Sequence, residues 1–329
     1  DDTHLSEAAR RVVESLKRIV DREAEANRLA IRTEPPSPQG NPRQVTPLPM
    51  PVLLQRLAQA REVYLARVDK EHDTESLRDS YDYNNALLLY VYGYWPHARE
   101  RFARIYNDNC SGSDADETGR VAWFNLNNMA VSLNQTDEVE RLSRDLQKRR
   151  CTFASGTAVA RASVDCTKPA NAEEPQCVAT VQLSNIRYQK AVQVFDDAEK
   201  SSGQEQRRLY EEAATMLVEA VNDEPTHAQA PLALEKAAVA LERTSRFESA
   251  ARLYARIIDE VGSRAAKDEE EQKRLDAILS NAYFRQAYNA NRFFDFGRAV
   301  GSYRALADSE RFLKSTEPSV RERREDALI

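Results

Sequence analysis

Apolar residues recur at helical spacing along most of the chain, and the interruptions in this pattern divide it into segments. Over 5–32, leucine, isoleucine, valine and alanine return every three or four residues, which predicts an amphipathic helix. Seven of the thirteen prolines follow between Pro35 and Pro51. Because proline lacks the amide donor of a helix, this stretch predicts an extended linker, with a polyproline ligand for a partner as the alternative. From Val52 onward, helix-sized segments alternate with short polar breaks.

The chain has four cysteines: Cys110, Cys151, Cys166 and Cys177. Cys166 and Cys177 enclose a polar loop, and small or β-branched residues flank this loop at 157–164 and 178–183. This arrangement predicts a β-hairpin whose mouth is closed by a disulfide bond.

A second disulfide is predicted between Cys110 and Cys151, because each of them follows a predicted helix and precedes a loop. The cysteines form no C-x-x-C motif and no histidine pair lies near them, so we expect no zinc site. Two disulfides predict an oxidising compartment. Four free thiols in a cytosolic protein are the alternative.

These patterns predict a chain of five segments. They are an N-terminal helix at 1–33, a proline-rich linker at 34–51, a front set of helices at 52–152, a hairpin insertion at 153–184 and a back set of helices at 185–329.

Five pairs of predicted helices share a pattern in which small alanines alternate with large apolar residues. The clearest alanines are Ala98, Ala250 and Ala299, which let two helices approach closely while large side chains fill the space between them. No such pair buries its apolar face alone, so the pairs must stack. The pattern resembles the tetratricopeptide repeat (TPR) family, whose repeat is about 34 residues, over roughly 78–310. The copies are irregularly spaced, and Asp82 stands where the first copy should carry a large apolar residue.

The expected fold is therefore all-α: a TPR-like α-solenoid of stacked helix pairs with a small, disulfide-closed β-hairpin insertion. In the TPR family, the first helix of each pair lines a concave groove that binds a peptide or a partner subunit. In the first two copies, the matching positions are Tyr83, Asn84, Leu87, Tyr90, Phe124, Asn125, Asn128 and Ser132. In the fourth and fifth copies, they are Glu235, Lys236, Arg243, Phe284, Arg285, Tyr288, Asn291 and Arg292.

These residue types suit a peptide ligand, because amides pair with peptide backbone and rings cover apolar side chains. Packing of the same aromatic residues against the next helix pair or an inserted loop is the alternative.

Composition narrows the function classes. The chain has 329 residues, a formal charge of −6 and only 9 glycines, which argues against glycine-rich phosphate loops and all-β folds. Mild acidity argues against a nucleic-acid partner. Four histidines are scattered, and no H-E-x-x-H, G-x-S-x-G or P-loop motif occurs. We therefore expect no enzymatic activity, no catalytic residues, no cofactor and no metal, and a protein or peptide as the partner.

No transmembrane segment is expected, because the longest apolar stretch, Ala86 to Tyr92, is far shorter than the ~20 residues that cross a bilayer. No signal-peptide pattern opens the sequence. The chain stops inside a helical pattern at 319–329, which is consistent with an excised fragment.

Arginine outnumbers lysine 37 to 10, which is the coding bias of a GC-rich genome. Together with the predicted disulfides, the resemblance implies a periplasmic interaction scaffold in a bacterial envelope assembly. It is similar in character to TPR components of gliding-motility, cell-division or polysaccharide machinery. A cytosolic regulatory TPR domain of a larger signalling protein is the first alternative. The second is an envelope factor that binds carbohydrate or lipid through the aromatic groove.

Overall fold

The computed structural model of the chain describes residues 2–110, 117–149 and 165–328, apart from 167 and 267. Within these residues the structure is helical and contains no strand, so the predicted all-α class is confirmed. The chain forms two compact units, Asp1–Leu183 and Ser184–Ile329. The helices are α1 (Asp2–Glu25), α2 (Val52–Arg67), α3 (Leu77–Val91), α4 (Trp95–Asn109), α5 (Glu117–Ser132), α6 (Thr136–Arg149), α7 (Pro175–Lys200), α8 (Gly203–Asp223), α9 (Ala230–Arg243), α10 (Phe247–Gly262), α11 (Glu269–Arg292), α12 (Phe296–Asp308), α13 (Glu310–Leu313) and α14 (Pro318–Asp326).

In the first unit, each helix from α1 to α6 packs against the next one along the chain. Helix α3 also contacts α5, which is the contact between alternate helices expected when helix pairs stack. The largest buried side chains of this unit are Tyr64, Phe102 and Trp123. The Trp123 indole N–H donates to the Leu142 carbonyl at 3.2 Å, so its polar group is satisfied inside the core.

In the second unit, each helix from α8 to α12 packs against the next, and α9 contacts α11. Alanines such as Ala213, Ala238 and Ala250 are fully buried where these helices meet, as their small size predicts. Helix α11 is also contacted by α13 and α14, whose Phe312 and Val320 are buried. The last two helices therefore cover an apolar surface that α11 would otherwise expose.

The predicted β-hairpin is wrong. Residues 178–183, its expected second strand, lie within helix α7, where the Thr180 hydroxyl donates to the Gln176 carbonyl one turn earlier at 2.7 Å. Valine and threonine favour strands only weakly, so tertiary contacts easily override that preference. Two side-chain hydrogen bonds join this part of α7 to α6: the Ser143 hydroxyl donates to Gln182 at 3.1 Å, and the Gln147 amide donates to the Thr180 hydroxyl at 3.2 Å. The expected first strand, 157–164, lies outside the described residues.

Disulfide bonds hold the cysteines that the structure describes. Cys166 is bonded to Cys177 in the first turn of α7, so the predicted pair is present although it closes a helix start and not a hairpin. Cys110 is also disulfide-bonded. Cys151, its predicted partner, lies outside the described residues.

The proline-rich residues 34–50, called the strap below, belong to the first unit and lie against the ends of its helices α3 and α5. The Leu48 amide donates to the Tyr92 carbonyl at 2.9 Å, where α3 ends. The Arg43 guanidinium donates to the carbonyl of Ser132, the last residue of α5, at 3.1 Å. A basic group at the carboxyl end of a helix is favourable because the unpaired carbonyls there carry partial negative charge.

Gly93, in the turn between α3 and α4, determines how closely the strap approaches. Its φ of +83° lies in the left-handed region, and a Cβ there would stand 3.0 Å from both Pro36 Cγ and the Thr46 carbonyl oxygen. A glycine is therefore needed both for the backbone conformation and for the space that the strap occupies.

Candidate functional site

The predicted groove residues of the first unit form one face on α3 and α5. We call this the amide face and define it as Tyr83, Asn84, Leu87, Phe124, Asn125 and Asn128. In each helix the three positions are spaced i, i+1 and i+4, which places their side chains on the same side. The Asn125 amide donates to the Tyr83 hydroxyl at 3.2 Å and so joins the two helices. Burial raises the pKa of the Tyr83 phenol, which keeps it neutral and able to serve as this hydrogen-bonding partner.

Phe124 is the main apolar group of the amide face. Its ring lies edge-on to Trp123 at a centroid distance of 5.3 Å, and the Arg120 guanidinium lies 5.1 Å from the ring centroid. Such a cation–π contact places a positive charge next to an apolar surface. One turn later Asn128 is exposed, and Val131 is 50% exposed. Helix α5 therefore presents a ring, an amide and an aliphatic side chain in succession.

Several predicted residues of the first unit, including Asn84 of the amide face, already form contacts within the chain. Tyr90 is only 8% exposed and packs against Trp95 and Phe102. The Ser132 carbonyl accepts from the strap, and the Asn84 amide donates to the Ser80 carbonyl of its own helix at 2.6 Å. For Tyr90, the structure therefore agrees with the alternative given by the sequence, in which the aromatic residues pack inside the protein and do not line a groove.

Asp82 forms part of a charged cluster that sequence reasoning did not identify. Its carboxylate accepts from Arg101 at 2.9 Å and from Arg104 at 2.7 Å, both on α4, and Arg101 also contacts Glu62 of α2 at 2.6 Å. These residues line a polar cleft of about 400 Å³. The one feature of the sequence that pointed to this charged cluster was the departure of Asp82 from the repeat pattern. An acidic residue that faces the second helix of a pair needs cationic partners there.

In the second unit, the predicted Lys236 and Arg285 are ion-paired within the chain. The Lys236 ammonium lies 3.3 Å from Asp196 and 4.3 Å from the centroid of the Phe195 ring. Arg285 lies 3.4 Å from the Glu242 carboxylate. Phe284, which was also predicted, packs edge-on against Tyr303 at a centroid distance of 5.7 Å.

Glu235 is a largely buried carboxyl beside these pairs. Burial raises its pKa, and a hydrogen bond from the Asn281 amide opposes that rise, as does the charge of Arg323. Arg323 belongs to α14, and it also donates to the Ser280 hydroxyl of α11 at 3.3 Å. The charged groups on this side of the second unit are therefore largely neutralised by one another.

The remaining predicted residues are exposed at the carboxyl ends of α9 and α11. Tyr288 is 38% exposed, and Arg243, Asn291 and Arg292 are exposed as well. The Arg292 guanidinium lies 4.9 Å from the centroid of the Phe247 ring. This group of residues therefore presents solvent-facing surface at the ends of α9 and α11.

No protein-family model matches the chain, and no curated protein matches it either. In the part of the chain that the structure describes, no helix is long and apolar enough to cross a membrane. Within the same residues, no cluster of three or more histidine, cysteine, aspartate or glutamate side chains could hold a metal ion.

Proposed function

We propose that this chain is a non-catalytic scaffold of TPR-like helix pairs whose amide face binds an extended segment of a partner protein. The observation that carries the proposal is the succession along α5 of Phe124 and Asn128, both in the amide face, and the neighbouring Val131, in which a half-buried ring lies next to an exposed amide. Extended peptides need both groups, because their backbone must form hydrogen bonds and their apolar side chains must leave water.

The amide face is favoured over the ion-paired residues of the second unit because of the free energy that ligand binding would cost at each place. Asn128 can bond to a ligand without first breaking an ion pair, whereas Lys236 and Arg285 already have carboxylate partners. Removing one member of a partly buried pair leaves the other uncompensated, which costs binding free energy. The Tyr83–Asn125 hydrogen bond fixes α3 relative to α5 before a ligand arrives, which lowers the cost of ordering the amide face.

We place the scaffold in an oxidising compartment and favour the bacterial periplasm. The support is the Cys166–Cys177 bond together with the bonded state of Cys110. Membership of a gliding-motility, cell-division or polysaccharide assembly is a further hypothesis that rests on the TPR resemblance. Peptide mapping without reduction, on protein isolated from its native cells, tests the compartment. Free thiols at these cysteines would refute the periplasmic assignment.

The binding function is tested by panning a phage-displayed random peptide library against the intact chain and then measuring the Kd of the enriched peptides as synthetic ligands. We expect peptides with aromatic or aliphatic side chains, and we expect Asn128→Ala and Phe124→Ala each to weaken binding by about tenfold. Gln204→Ala is the matched control, since Gln204 is an exposed amide at the start of α8.

Because Phe124 is half-buried, the melting temperature of each variant must be compared with that of the parent chain. Asn128 is exposed, so its variant should retain the parent melting temperature. A library that yields no enriched peptide, or peptides that bind Asn128→Ala and Phe124→Ala as tightly as the parent, would contradict the assignment.

A further inference from the structure

Helix α1 carries an apolar face that the first unit does not cover. One face of the helix, which contains Val13 and Val20, is buried, and the two valines are 2% and 4% exposed. On another face, Leu5, Val12 and Ile19 are 45%, 53% and 37% exposed. These three residues are spaced by seven, which is the spacing of a coiled-coil seam.

Small residues separate the three large ones. Ala8 and Ser15 are exposed and lie between them on the same side of the helix. The result is a row of shallow depressions, each bounded by two large aliphatic side chains and floored by a small residue. Such depressions receive the side chains of a second helix in knobs-into-holes packing. The face is only one large residue wide, which suits a helix better than a lipid surface.

One edge of this face is basic. Arg11 and Arg18 are exposed, and helical geometry places them along the same border of the apolar row, while Arg22 is exposed where the row of Ala8 and Ser15 ends. Arg11 is paired with Glu7 one turn earlier, and Arg22 lies 3.6 Å from Glu23. These exposed pairs contribute little free energy, so a partner carboxylate can compete for the arginines.

A second copy of α1 is a poor occupant. Two antiparallel α1 helices would place Arg11 and Arg18 of one copy opposite the same arginines of the other, and like charges in flanking positions oppose pairing. Two parallel helices would set Ala8 and Ser15 against their counterparts and leave the seam unfilled.

We infer that the exposed face of α1 is a docking site for an amphipathic helix of a different protein, with an apolar seam flanked by acidic residues. The partner's apolar side chains enter the depressions between Leu5, Val12 and Ile19, and its carboxylates pair with the arginine edge. This surface is distinct from the amide face and would give the scaffold a second partner.

The test uses two synthetic helical peptides of three heptads, each with leucine at both seam positions. One has glutamate at both flanking positions and the other has lysine, so repulsion between like charges keeps each from pairing with itself. Fluorescence anisotropy measures their binding to the intact chain. We expect the glutamate peptide to bind, and we expect Val12→Asp to weaken it by about tenfold or more.

Val181→Asp is the matched control, because Val181 is also 53% exposed but lies on α7. Replacing Arg11 and Arg18 together by glutamate should reverse the preference toward the lysine peptide, and this variant keeps the test valid should Val12→Asp perturb folding. Phe124→Ala should leave the glutamate peptide unaffected, which separates this surface from the proposed peptide site.

Three results would overturn the inference. The first is failure of the glutamate peptide to bind, or equal binding to the parent chain and the Val12→Asp variant. The second is a dimer in analytical ultracentrifugation that Val12→Asp abolishes, which would identify a second copy as the occupant. The third is binding to anionic lipid vesicles that depends on Val12, which would identify a membrane surface.

Discussion

The contact between Gly93 and the strap gives a quantitative prediction for Gly93→Ala. An alanine in the left-handed region costs about 1–2 kcal/mol, because its Cβ approaches the following carbonyl oxygen. At Gly93 the same Cβ would also lie 3.0 Å from Pro36 Cγ and from the Thr46 carbonyl oxygen, so the strap must shift. Overpacking of this kind costs about 1–3 kcal/mol. The substitution should therefore reduce stability by about 2–5 kcal/mol in total.

Gly203→Ala is the control that separates the two contributions. Gly203 also has a positive φ, +63°, but a Cβ there would meet nothing within 4 Å. It should show the backbone cost alone, about 1–2 kcal/mol. The difference between the two variants then measures the strap contact, about 1–3 kcal/mol.

Native-state hydrogen exchange is the appropriate assay, because a chain with two units need not unfold in one step. The Leu48 amide reports on the strap through its bond to the Tyr92 carbonyl. Exchange at Leu48 should accelerate by about 5- to 140-fold in Gly93→Ala and remain unchanged in Gly203→Ala. Equal exchange at Leu48 in all three proteins would refute the idea that the strap is held against this turn.

Three further predictions concern stability. Removing the Cys166–Cys177 bond by serine substitution at both positions should lower stability by about 3 kcal/mol, because the bond closes a loop with a sequence separation of 11. Hydrogen exchange at the start of α7 measures this loss, and unchanged exchange would contradict the prediction. Burial raises the pKa of Tyr64 to about 12 from 10.0, so its neutral form is favoured in the folded state, and the free energy of unfolding should fall as the pH rises from 10 to 12. Urea titrations across this range should show a smaller fall in Tyr64→Phe, whereas an equal fall would exclude Tyr64 as a cause. Arg61 is 9% exposed, its Nε has no partner, and no carboxylate pairs with it in the described part of the chain. Arg61→Met should therefore raise the free energy of unfolding, measured by urea denaturation, by about 1 kcal/mol. A lower free energy of unfolding in the variant would show that the charge is stabilising.

The helical class could be predicted from the sequence because helical periodicity is a local property. Alanines such as Ala98 and Ala250 are buried where the small-residue pattern required close approach. The strand prediction at 178–183 failed because five β-branched or apolar residues among six carry only a weak preference, which the 26-residue helix α7 overrides.

Features that depend on distant residues could not be predicted. The sequence marks Asp82 as an anomaly, but its arginine partners follow 19 and 22 residues later and are identified only by the packing of α4. The Tyr83–Asn125 bond likewise joins residues 42 positions apart. The prolines predicted an extended segment, but the contact between the strap and Gly93 depends on tertiary packing.

The strap changes how the helices of the first unit depend on one another. In a stack of helix pairs, each pair contacts only its neighbours, so the stack can lose pairs from one end. Here a single segment is bonded both to Tyr92, where α3 ends, and to Ser132, where α5 ends. Opening of α5 releases Arg43, and opening of α3 releases Leu48, so either event weakens the hold on the other. The strap thus adds a second link between two pairs that already contact each other through α4 and α5, so it strengthens the cooperativity of their unfolding.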